Sequence, residues 1–445
     1  MRLATTRKTC FAGVLALLLT VMVFPAAAGA AARKSGDRPN QTRDAIFIDE
    51  LKDFNPANGV RAGSGTASDP FVISDWNVSW VEIKDTDAHV VVKDNVITDS
   101  LTLDWIGGGI EVRNNEIGDL RVNQNRKRTG DPTSGVIENN KFGVVGQLRH
   151  FDGIFQNNVV GTKDGMGLDL PFITDTRAVN FDGFNGSIFR NNTIYGYMDA
   201  RLHGHHHSSG FAEDSHYHGD KPAAHEDHDG MDHTVRYHQV HIYGNKIFAD
   251  HYYALAYLDT AHSANDRTAA SETEPTLNDP HIHHTKVFMH DNDLVGAGLY
   301  VDVFNARDER HRATARGLME ISDNKIVLHR TEDATQKFMP RNGIDVNQAQ
   351  DITLRILDNK ITGPGAPDTV TAALGSESIA GINLWTIDKG NIFLSGNSVS
   401  NADYGIKASD FTETVKWTIE ELVASDVGQA VYWDSSVANA PERRG

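Results

Sequence analysis

A six-residue phrase recurs along the chain and constrains its fold more than any other feature. It reads aliphatic, any residue, polar, Asn, any residue, aliphatic, as in Val92–Ile97 and Val112–Ile117. Self-similarity at a period of roughly 20 residues and upward is typical of solenoids, in which distant parts of the sequence stack in columns. The central asparagines of the phrase are Asn95, Asn115, Asn140, Asn158, Asn192, Asn245, Asn292, Asn324, Asn359 and Asn397.

The spacing of these asparagines indicates where loops are inserted. The first three gaps are 20, 25 and 18 residues, and the later gaps are 34, 53, 47, 32, 35 and 38. One coil of about 20 residues therefore carries extra loop in most later turns, and the largest excess lies between Asn192 and Asn245. Insertions in repeat proteins lie on one face, which is often the binding face.

Within each phrase, aliphatic residues with strand periodicity flank a short polar corner. Asparagine suits that corner because it tolerates left-handed backbone angles and bonds neighbouring backbone. Stacked corner asparagines can also bond one another between coils. The sequence therefore predicts an all-β fold, a single-stranded right-handed parallel β-helix with long loop insertions.

The phrase resembles the repeat of the right-handed parallel β-helix superfamily, which includes pectate-lyase-like carbohydrate-active enzymes. The segment from Gly63 to Phe71, with Trp76 beyond it, is similar to the start of periplasmic copper-binding β-helix proteins. The resemblance implies the fold over most of the chain. It leaves the function open, because this fold hosts lyases, hydrolases, epimerases, adhesins and binding proteins.

The amino terminus has the features of a secretory signal peptide. Three basic residues precede an apolar run over 11–24, and small residues follow as cleavage sites. The run is short for a membrane span, and the chain's one cysteine, Cys10, precedes it. We therefore expect a secreted or periplasmic protein with no membrane insertion, no lipid anchor and no disulfide.

Charge limits the partners of the chain. The formal net charge is −18, and it becomes about −21 once a signal with three positive and no negative residues is removed. Such a surface repels nucleic acid, although a local basic patch or a bound cation can still accept an anionic substrate. We expect a monomer that binds a polysaccharide and no nucleic acid.

The chain divides into four predicted segments. The polar stretch 31–45 is expected to be flexible, and 411–435 has the pattern of closing strands. The segments are a signal peptide at 1–30, an amino-terminal cap at 31–80, the β-helix at 81–410 with a His-rich insertion at 203–241, and a closing segment and tail at 411–445.

A second strand follows each asparagine corner and predicts a ribbon of polar residues. Aliphatic residues such as Met198, Leu299 and Ile344 point inward, so the next residue of each coil points outward. Neighbouring coils lie about 4.8 Å apart, so the outward residues suit an extended sugar chain unless they only solvate the solenoid. The predicted substrate-binding residues are Asp169, Asp199, Asp302, Asp345, Asn347, Asn383 and Trp385.

Arginine and tyrosine beside these carboxylates offer charge neutralisation and proton transfer. Our first hypothesis is therefore a metal-assisted polysaccharide lyase, or a uronate epimerase, that acts on an acidic glycan. In that reaction Arg201 neutralises the substrate carboxylate, His203 or His205 is the base, and Tyr300 is the acid.

The insertion at 203–241 contains eleven of the 21 histidines, interleaved with acidic residues. Imidazole favours zinc, copper or nickel, whereas the ribbon carboxylates suit calcium, so the expected cofactor is a divalent metal: Zn, Cu or Ca. A second His-rich group lies at 281–284. The alternative is a solvated scavenger loop without fixed geometry. The predicted metal ligands are His203, His205, His207, His233, His238 and His241.

Two other functions compete with the enzyme. One is a non-catalytic extracellular protein that binds copper or zinc, and the other is a glycan-binding adhesin. A pectin hydrolase is disfavoured, because Gly204 is followed by two histidines where polygalacturonases have Gly-His-Gly.

Overall fold

The chain winds into a parallel β-helix whose successive coils pair along their strands. The computed structural model describes residues 41–123, 134–162, 177–183, 187–203, 236–249, 253–260, 283–304, 317–329, 342–365, 378–411, 415–433 and 436–437. Most of these residues lie in strands, and the pairings between coils are parallel. The predicted all-β parallel β-helix is confirmed.

The strands are numbered in chain order. They begin with β1 (Gln41–Ile48), β2 (Val60–Ala62), β3 (Phe71–Ser74), β4 (Trp76–Thr86), β5 (Val90–Lys93), β6 (Val96–Ile106), β7 (Ile110–Arg113), β8 (Glu116–Asn123), β9 (Ser134–Glu138), β10 (Lys141–Gln156) and β11 (Val159–Val160). They continue with β12 (Arg177–Gly183), β13 (Ile188–Arg190), β14 (Thr193–Tyr195), β15 (Tyr197–His203), β16 (Arg236–Tyr243), β17 (Lys246–Phe248), β18 (Tyr253–Thr260), β19 (His283–His290), β20 (Asp293–Gly296) and β21 (Gly298–Phe304). They end with β22 (Gly317–Ser322), β23 (Lys325–Leu328), β24 (Ile344–Leu357), β25 (Lys360–Thr362), β26 (Ala380–Ser395), β27 (Ser398–Ser400), β28 (Tyr404–Phe411), β29 (Val415–Glu420), β30 (Val423–Ser425) and β31 (Gln429–Trp433).

Each coil contributes to three ladders of paired strands. Ladder A precedes the asparagine corner and contains β3, β5, β7, β9, β13, β16, β19, β22 and β29, with the ends of β10, β24 and β26. Ladder B follows the corner and contains β11, β14, β17, β20, β23, β25, β27 and β30, with the starts of β4, β6, β8 and β10. Ladder C completes the coil with β1, β12, β15, β18, β21, β28 and β31, and with the remaining parts of the long strands.

The ten repeat asparagines form one continuous hydrogen-bonded column inside the corner, and each is at most 3% exposed. The Oδ1 of Asn115 accepts hydrogen bonds from the backbone N–H and the Nδ2 of Asn95, each 3.0 Å long. The same two bonds link every later pair as far as Asn397. The prediction that stacked asparagines bond one another between coils is therefore confirmed.

The left-handed backbone angle belongs to the residue before each repeat asparagine. Asp94 and Asn114 have φ values of 57° and 54°, and Gly244 takes this position in a later coil with φ 66°. The expectation that the repeat asparagine itself adopts this conformation is wrong. The two positions differ for a physical reason. The residue before the asparagine is short and polar, or is glycine, and can adopt the left-handed angle of the turn. The asparagine side chain then points inward and bonds its neighbours.

The interior of the coils is filled by aliphatic side chains from all three ladders, with a stack of phenylalanines between them. The ring centroids of Phe142 and Phe155 lie 5.9 Å apart, and those of Phe155 and Phe189 lie 4.5 Å apart. These three side chains are at most 3% exposed. The core is thus a column along the coil axis, to which each coil adds one apolar layer.

The amino-terminal end is built differently from the later coils. Residues 41–45, which were expected to be flexible, belong to β1, and β1 pairs with β4 as a rung of ladder C. Nearby, β2 pairs antiparallel with β3, and short 3-10 turns span Leu51–Asp53 and Pro56–Asn58. The guanidinium of Arg61 lies 3.8 Å from the ring centroid of Trp76, whose indole N–H donates to the Gly59 carbonyl.

The carboxyl-terminal closing segment is one further coil. β29, β30 and β31 pair with ladders A, B and C in turn, so the β-helix continues as far as Trp433. The predicted closing strands are therefore confirmed as strands of the helix itself. Within the described ranges, no helix has the length and apolarity needed to cross a membrane.

Replacing an asparagine in the middle of the column should destabilise the fold strongly. Asn245→Ala removes an acceptor for two donors of Asn192 and two donations, to the Phe189 carbonyl and to Asn292. Because buried polar groups left unpaired cost about 1–3 kcal/mol each, we expect a loss of about 3–5 kcal/mol in the free energy of unfolding, measured by urea denaturation. The control is Asn157→Gly at an exposed position with φ 56°, which should change stability by less than about 1 kcal/mol. Equal losses in the two variants would contradict the role of the column.

Candidate functional site

The outward residues of ladder C align as the sequence predicts at Asp199, Tyr300, Asp345 and Asn383, whereas Asn180 pairs with Asp199 at the position where Asp169 was expected. The inward residues Met198, Leu299 and Ile344 are aligned, and the coil between the first two contributes Leu255. The outward neighbours are therefore also aligned, in the order Asn180, Asp199, Ala256, Tyr300, Asp345, Asn383, Lys407 and Tyr432.

A second column of paired backbone positions lies two residues further along the same strands. It contains Asp182, Arg201, Leu258, Asp302 and Gln348. A shift in register before Asp302 makes Gln348 its strand partner, in place of the predicted Asn347. Asn347 still reaches the site, because its Nδ2 donates to Asp302 Oδ2 at 3.4 Å. We call these two columns, together with Asn347 and Trp385, the polar ribbon.

Asp199 is buried within the ribbon and has a partner on each oxygen. Its Oδ1 accepts a hydrogen bond of 2.8 Å from the Tyr253 hydroxyl, and its Oδ2 forms an ion pair of 3.2 Å with Arg177. Sequence analysis missed Arg177 and Tyr253, because both stand at the starts of their strands and outside the aligned columns. The carboxylate of Asp199 is thus an anchor that fixes the tyrosine and the arginine around it.

Tyr300 lies between Asp199 and Asp345 along the ribbon, and its phenol stays protonated. Its hydroxyl donates to Asp302 Oδ2 at 3.3 Å, and its ring centroid lies 5.7 Å from that of Tyr253. Burial raises the pKa of Tyr300 well above its ordinary value, and the negative charges of Asp302 and Asp345 raise it further. The phenol is therefore neutral over the physiological range and can serve as a proton donor.

Asp302 accepts the hydrogen bond from Tyr300, and its pKa is also shifted. Burial raises its pKa, while hydrogen bonds from Asn347 and Tyr300 oppose that shift. Its Oδ1 is buried and has no hydrogen-bond partner among the residues that the structure describes. A raised pKa makes this carboxylate a better proton acceptor than an exposed one.

Asp345 lies one coil beyond Tyr300, at a spacing of about 4.8 Å, and is only 7% exposed. Its two oxygens accept from Asn342 Nδ2 at 2.9 Å and from Asn383 Nδ2 at 2.8 Å. The amide of Asn383, a predicted sugar ligand, is therefore engaged with a carboxylate. Asn342 was not found from the sequence, since it precedes the strand.

The ribbon differs from the flat exposed surface that the sequence suggested. Asp199 and Asp345 are buried, so their oxygens serve the interior of the site. Trp385, by contrast, is 51% exposed. Alternation along a strand fixes only the side of the sheet to which a residue points, and burial on that side depends on what covers it.

Several predicted residues are placed by their backbone alone, and others lie outside the described ranges. Arg201 and His203 are on β15, where they pair with Leu258 and Thr260. His238 is on β16 and therefore belongs to ladder A. Asp169, His205, His207 and His233 lie outside the described residues.

His241 is on ladder A, so it does not share the ladder C ribbon with Tyr300 and Asp302. Its ring stacks on Phe288 at 4.8 Å, and its Nε2 lies 2.6 Å from the side-chain nitrogen of Gln239. Burial lowers the pKa of His241, and the nearby His290 lowers it further, which favours a neutral imidazole.

The His-rich insertion and the next large insertion begin and end beside each other. The first follows His203 and the second follows Thr260, and these two residues pair on ladder C. The chain returns on ladder A, where Arg236 pairs with His283. In the part of the chain described, no group of three or more His, Cys, Asp or Glu residues could hold a metal ion. The predicted metal remains a prediction.

Comparisons with protein families, with curated proteins and with solved structures gave no match. The functional argument therefore depends on the geometry of the ribbon.

Stability should depend on pH through Asp302. Because its folded pKa is raised above 3.8, the native state binds more protons than the unfolded state just above that pH, so stability falls as pH rises through this interval. Asp302→Asn keeps an acceptor for Tyr300 and removes the charge. We expect this variant to gain stability relative to the native protein as pH rises from about 3 to 7. Thermal unfolding across that range measures the difference, and a constant difference would contradict the raised pKa.

Proposed function

We propose that this chain is a secreted or periplasmic carbohydrate-active protein of the pectate-lyase-like β-helix superfamily, acting as a polysaccharide lyase or uronate epimerase on an acidic glycan. The contact between Tyr300 and Asp302 supports this proposal most directly, because it joins a proton donor to a proton acceptor. Both groups lie on a ribbon that follows the coil axis, which suits a linear polymer.

The elimination that we propose needs one acid and one base. Asp302 accepts the proton next to the sugar carboxylate, a carbon–carbon double bond forms, and the bond from the ring to the glycosidic oxygen breaks. Tyr300 gives its proton to that departing oxygen. The hydrogen bond between Tyr300 and Asp302 then lets the abstracted proton return to the phenolate, which restores the pair.

The other predicted roles have weaker support. Arg201 lies two coils from Asp302 in the same column, about 10 Å along the ladder, and we propose it for neutralising the substrate carboxylate. Arg177 is already paired with Asp199. The base role of His203 or His205 rests on the sequence, whereas Asp302 has the observed contact with Tyr300.

A calcium site does not fit the described carboxylates. Both oxygens of Asp199 and both oxygens of Asp345 accept bonds from neighbouring side chains. Asp302 Oδ1 remains, whereas Ca²⁺ takes about 6–8 oxygen ligands. The proposed elimination therefore uses the side chains of Tyr300 and Asp302 as acid and base.

Loss of the phenol should abolish the reaction. Tyr300→Phe removes the proton donor and should lower turnover by about 100-fold or more, the usual contribution of general acid catalysis. The assay is incubation with uronate polymers, followed by the ultraviolet absorbance of the unsaturated product. The matched control is Tyr195→Phe, whose ring packs on Phe248 on ladder B and whose turnover should not change.

The same experiment separates the alternatives. An epimerase gives no absorbance but incorporates deuterium from solvent at the carbon that loses its proton. Affinity for the polymer with neither signal would indicate an adhesin. Full turnover by Tyr300→Phe would show that Tyr300 is not the acid.

Binding of copper or zinc is the second candidate function, and the register of the two insertions favours it. Their boundary residues pair on ladder C and again on ladder A, so 204–235 and 261–282 begin and end one coil apart. The first segment contains eight histidines and the second contains His262 and His281, and imidazoles from both can bind the same ion.

Metal analysis of the full chain tests this function. We expect bound copper or zinc, and we expect its loss when 204–235 is replaced by a short Gly-Ser linker. Unchanged circular dichroism would show that the β-helix is retained. An equal metal content in both proteins would contradict a site in the first insertion.

A further inference from the structure

The carboxyl-terminal end of the polar ribbon has a composition unlike its centre. The centre holds Asp199, Asp302 and Asp345, whereas the end holds Trp385, Lys407 and Tyr432. Lys407 pairs with Asn383 on one side and with Tyr432 on the other, two coils from Asp345. This spacing corresponds to about 10 Å along the ladder.

Most other cations of ladder C whose side chains are described have a carboxylate partner, and Arg43 instead donates to the Ala57 carbonyl and lies 5.4 Å from the Trp76 ring centroid. Lys84 lies within 4 Å of Asp49 and Glu82, Arg121 pairs with Asp119, and Arg177 pairs with Asp199. Lys407 is partly exposed and forms no ion pair with any described residue. In a chain with net charge −18, such a cation favours a negatively charged ligand at that point.

Trp385 is the exposed aromatic surface beside this cation. It lies one coil before Lys407 and two residues further along the strand, and 51% of its surface is exposed. The exposed indole provides a flat apolar surface for a sugar ring.

The backbone turns at the residue after Trp385. Thr386 has φ 53°, a conformation that β-branched residues rarely adopt. Its hydroxyl donates to Asp410 Oδ2 at 3.1 Å. Asp410, the equivalent residue of the next coil, has φ 59°, so Thr386 lies at a corner that recurs between coils.

We propose that Trp385 and Lys407 form a binding subsite for a uronate residue, on the carboxyl-terminal side of the Tyr300–Asp302 pair. The indole packs against the sugar ring, and the ammonium group binds the carboxylate. This assignment rests on the proposed glycan specificity and refines it, because the glycan then runs along ladder C with an acidic sugar about two coils beyond Asp345.

The subsite also explains how an acidic substrate can bind beside a cluster of carboxylates. The central carboxylates repel a uronate, and Arg177 is already engaged with Asp199. A cation outside the carboxylate cluster gives the glycan a favourable contact without adding charge beside the acid and base. Lys407 would therefore act in affinity, and the Tyr300–Asp302 pair in chemistry.

Binding of oligogalacturonate, measured by calorimetry in Tyr300→Phe protein, tests the proposal without interference from turnover. Lys407→Gln should weaken binding about fivefold at an ionic strength of about 0.01 M, and this loss should vanish near 1 M, where charges are screened beyond about 3 Å. Lys407→Arg should retain affinity. Trp385→Ala should weaken binding about tenfold at both ionic strengths, because stacking does not depend on salt.

The matched control is Lys416→Gln, which removes the same charge from an exposed position on ladder A. It should leave affinity unchanged. Three results would each overturn the subsite. The first is an equal effect of the two lysine variants, and the second is a loss of affinity in Lys407→Gln that does not depend on salt. The third is no binding of oligogalacturonate or oligomannuronate by the protein that carries Tyr300→Phe alone. A native protein that binds these uronates without turnover would disprove the lyase and epimerase proposals but leave the subsite intact.

Discussion

The hydrogen-bonded column of repeat asparagines is the interaction on which the rest of the structure depends. Each buried amide accepts two bonds from the preceding coil and donates onward, so no coil can move without leaving polar groups unpaired. The column fixes the register between coils even where loops of very different length intervene. Asn192 and Asn245 are 53 residues apart, yet they bond at 2.9 Å.

Fixed register is what gives the polar ribbon its chemistry. Tyr253, Tyr300 and Asp345 come from three successive coils, and no local motif connects them. Stacking places the Tyr253 and Tyr300 rings 5.7 Å apart and sets the negative charge of Asp345 near the second phenol. Burial raises the pKa of both Tyr300 and Asp302, so the phenol stays protonated beside a carboxylate that accepts protons more readily than an exposed one.

Negative and positive side chains occupy different parts of the ribbon along the coil axis. The centre contains carboxylates held by Arg177, Tyr253 and asparagine amides, whereas the carboxyl-terminal end carries Lys407 beside an exposed indole. A long glycan can contact both regions at once, because one rung adds only about 4.8 Å. The proposed function therefore places affinity and proton transfer at different positions along the ribbon.

Periodicity in the sequence determined the fold, the asparagine column and the alignment of Asp199, Tyr300, Asp345 and Asn383, because coil stacking repeats one local pattern. The partners Arg177, Tyr253 and Asn342, the register shift at Asp302 and the burial of Asp199 and Asp345 appeared only in the tertiary structure. Those features depend on side chains that reach between coils and on what covers each face, and neither follows from the alternation of residues along a strand.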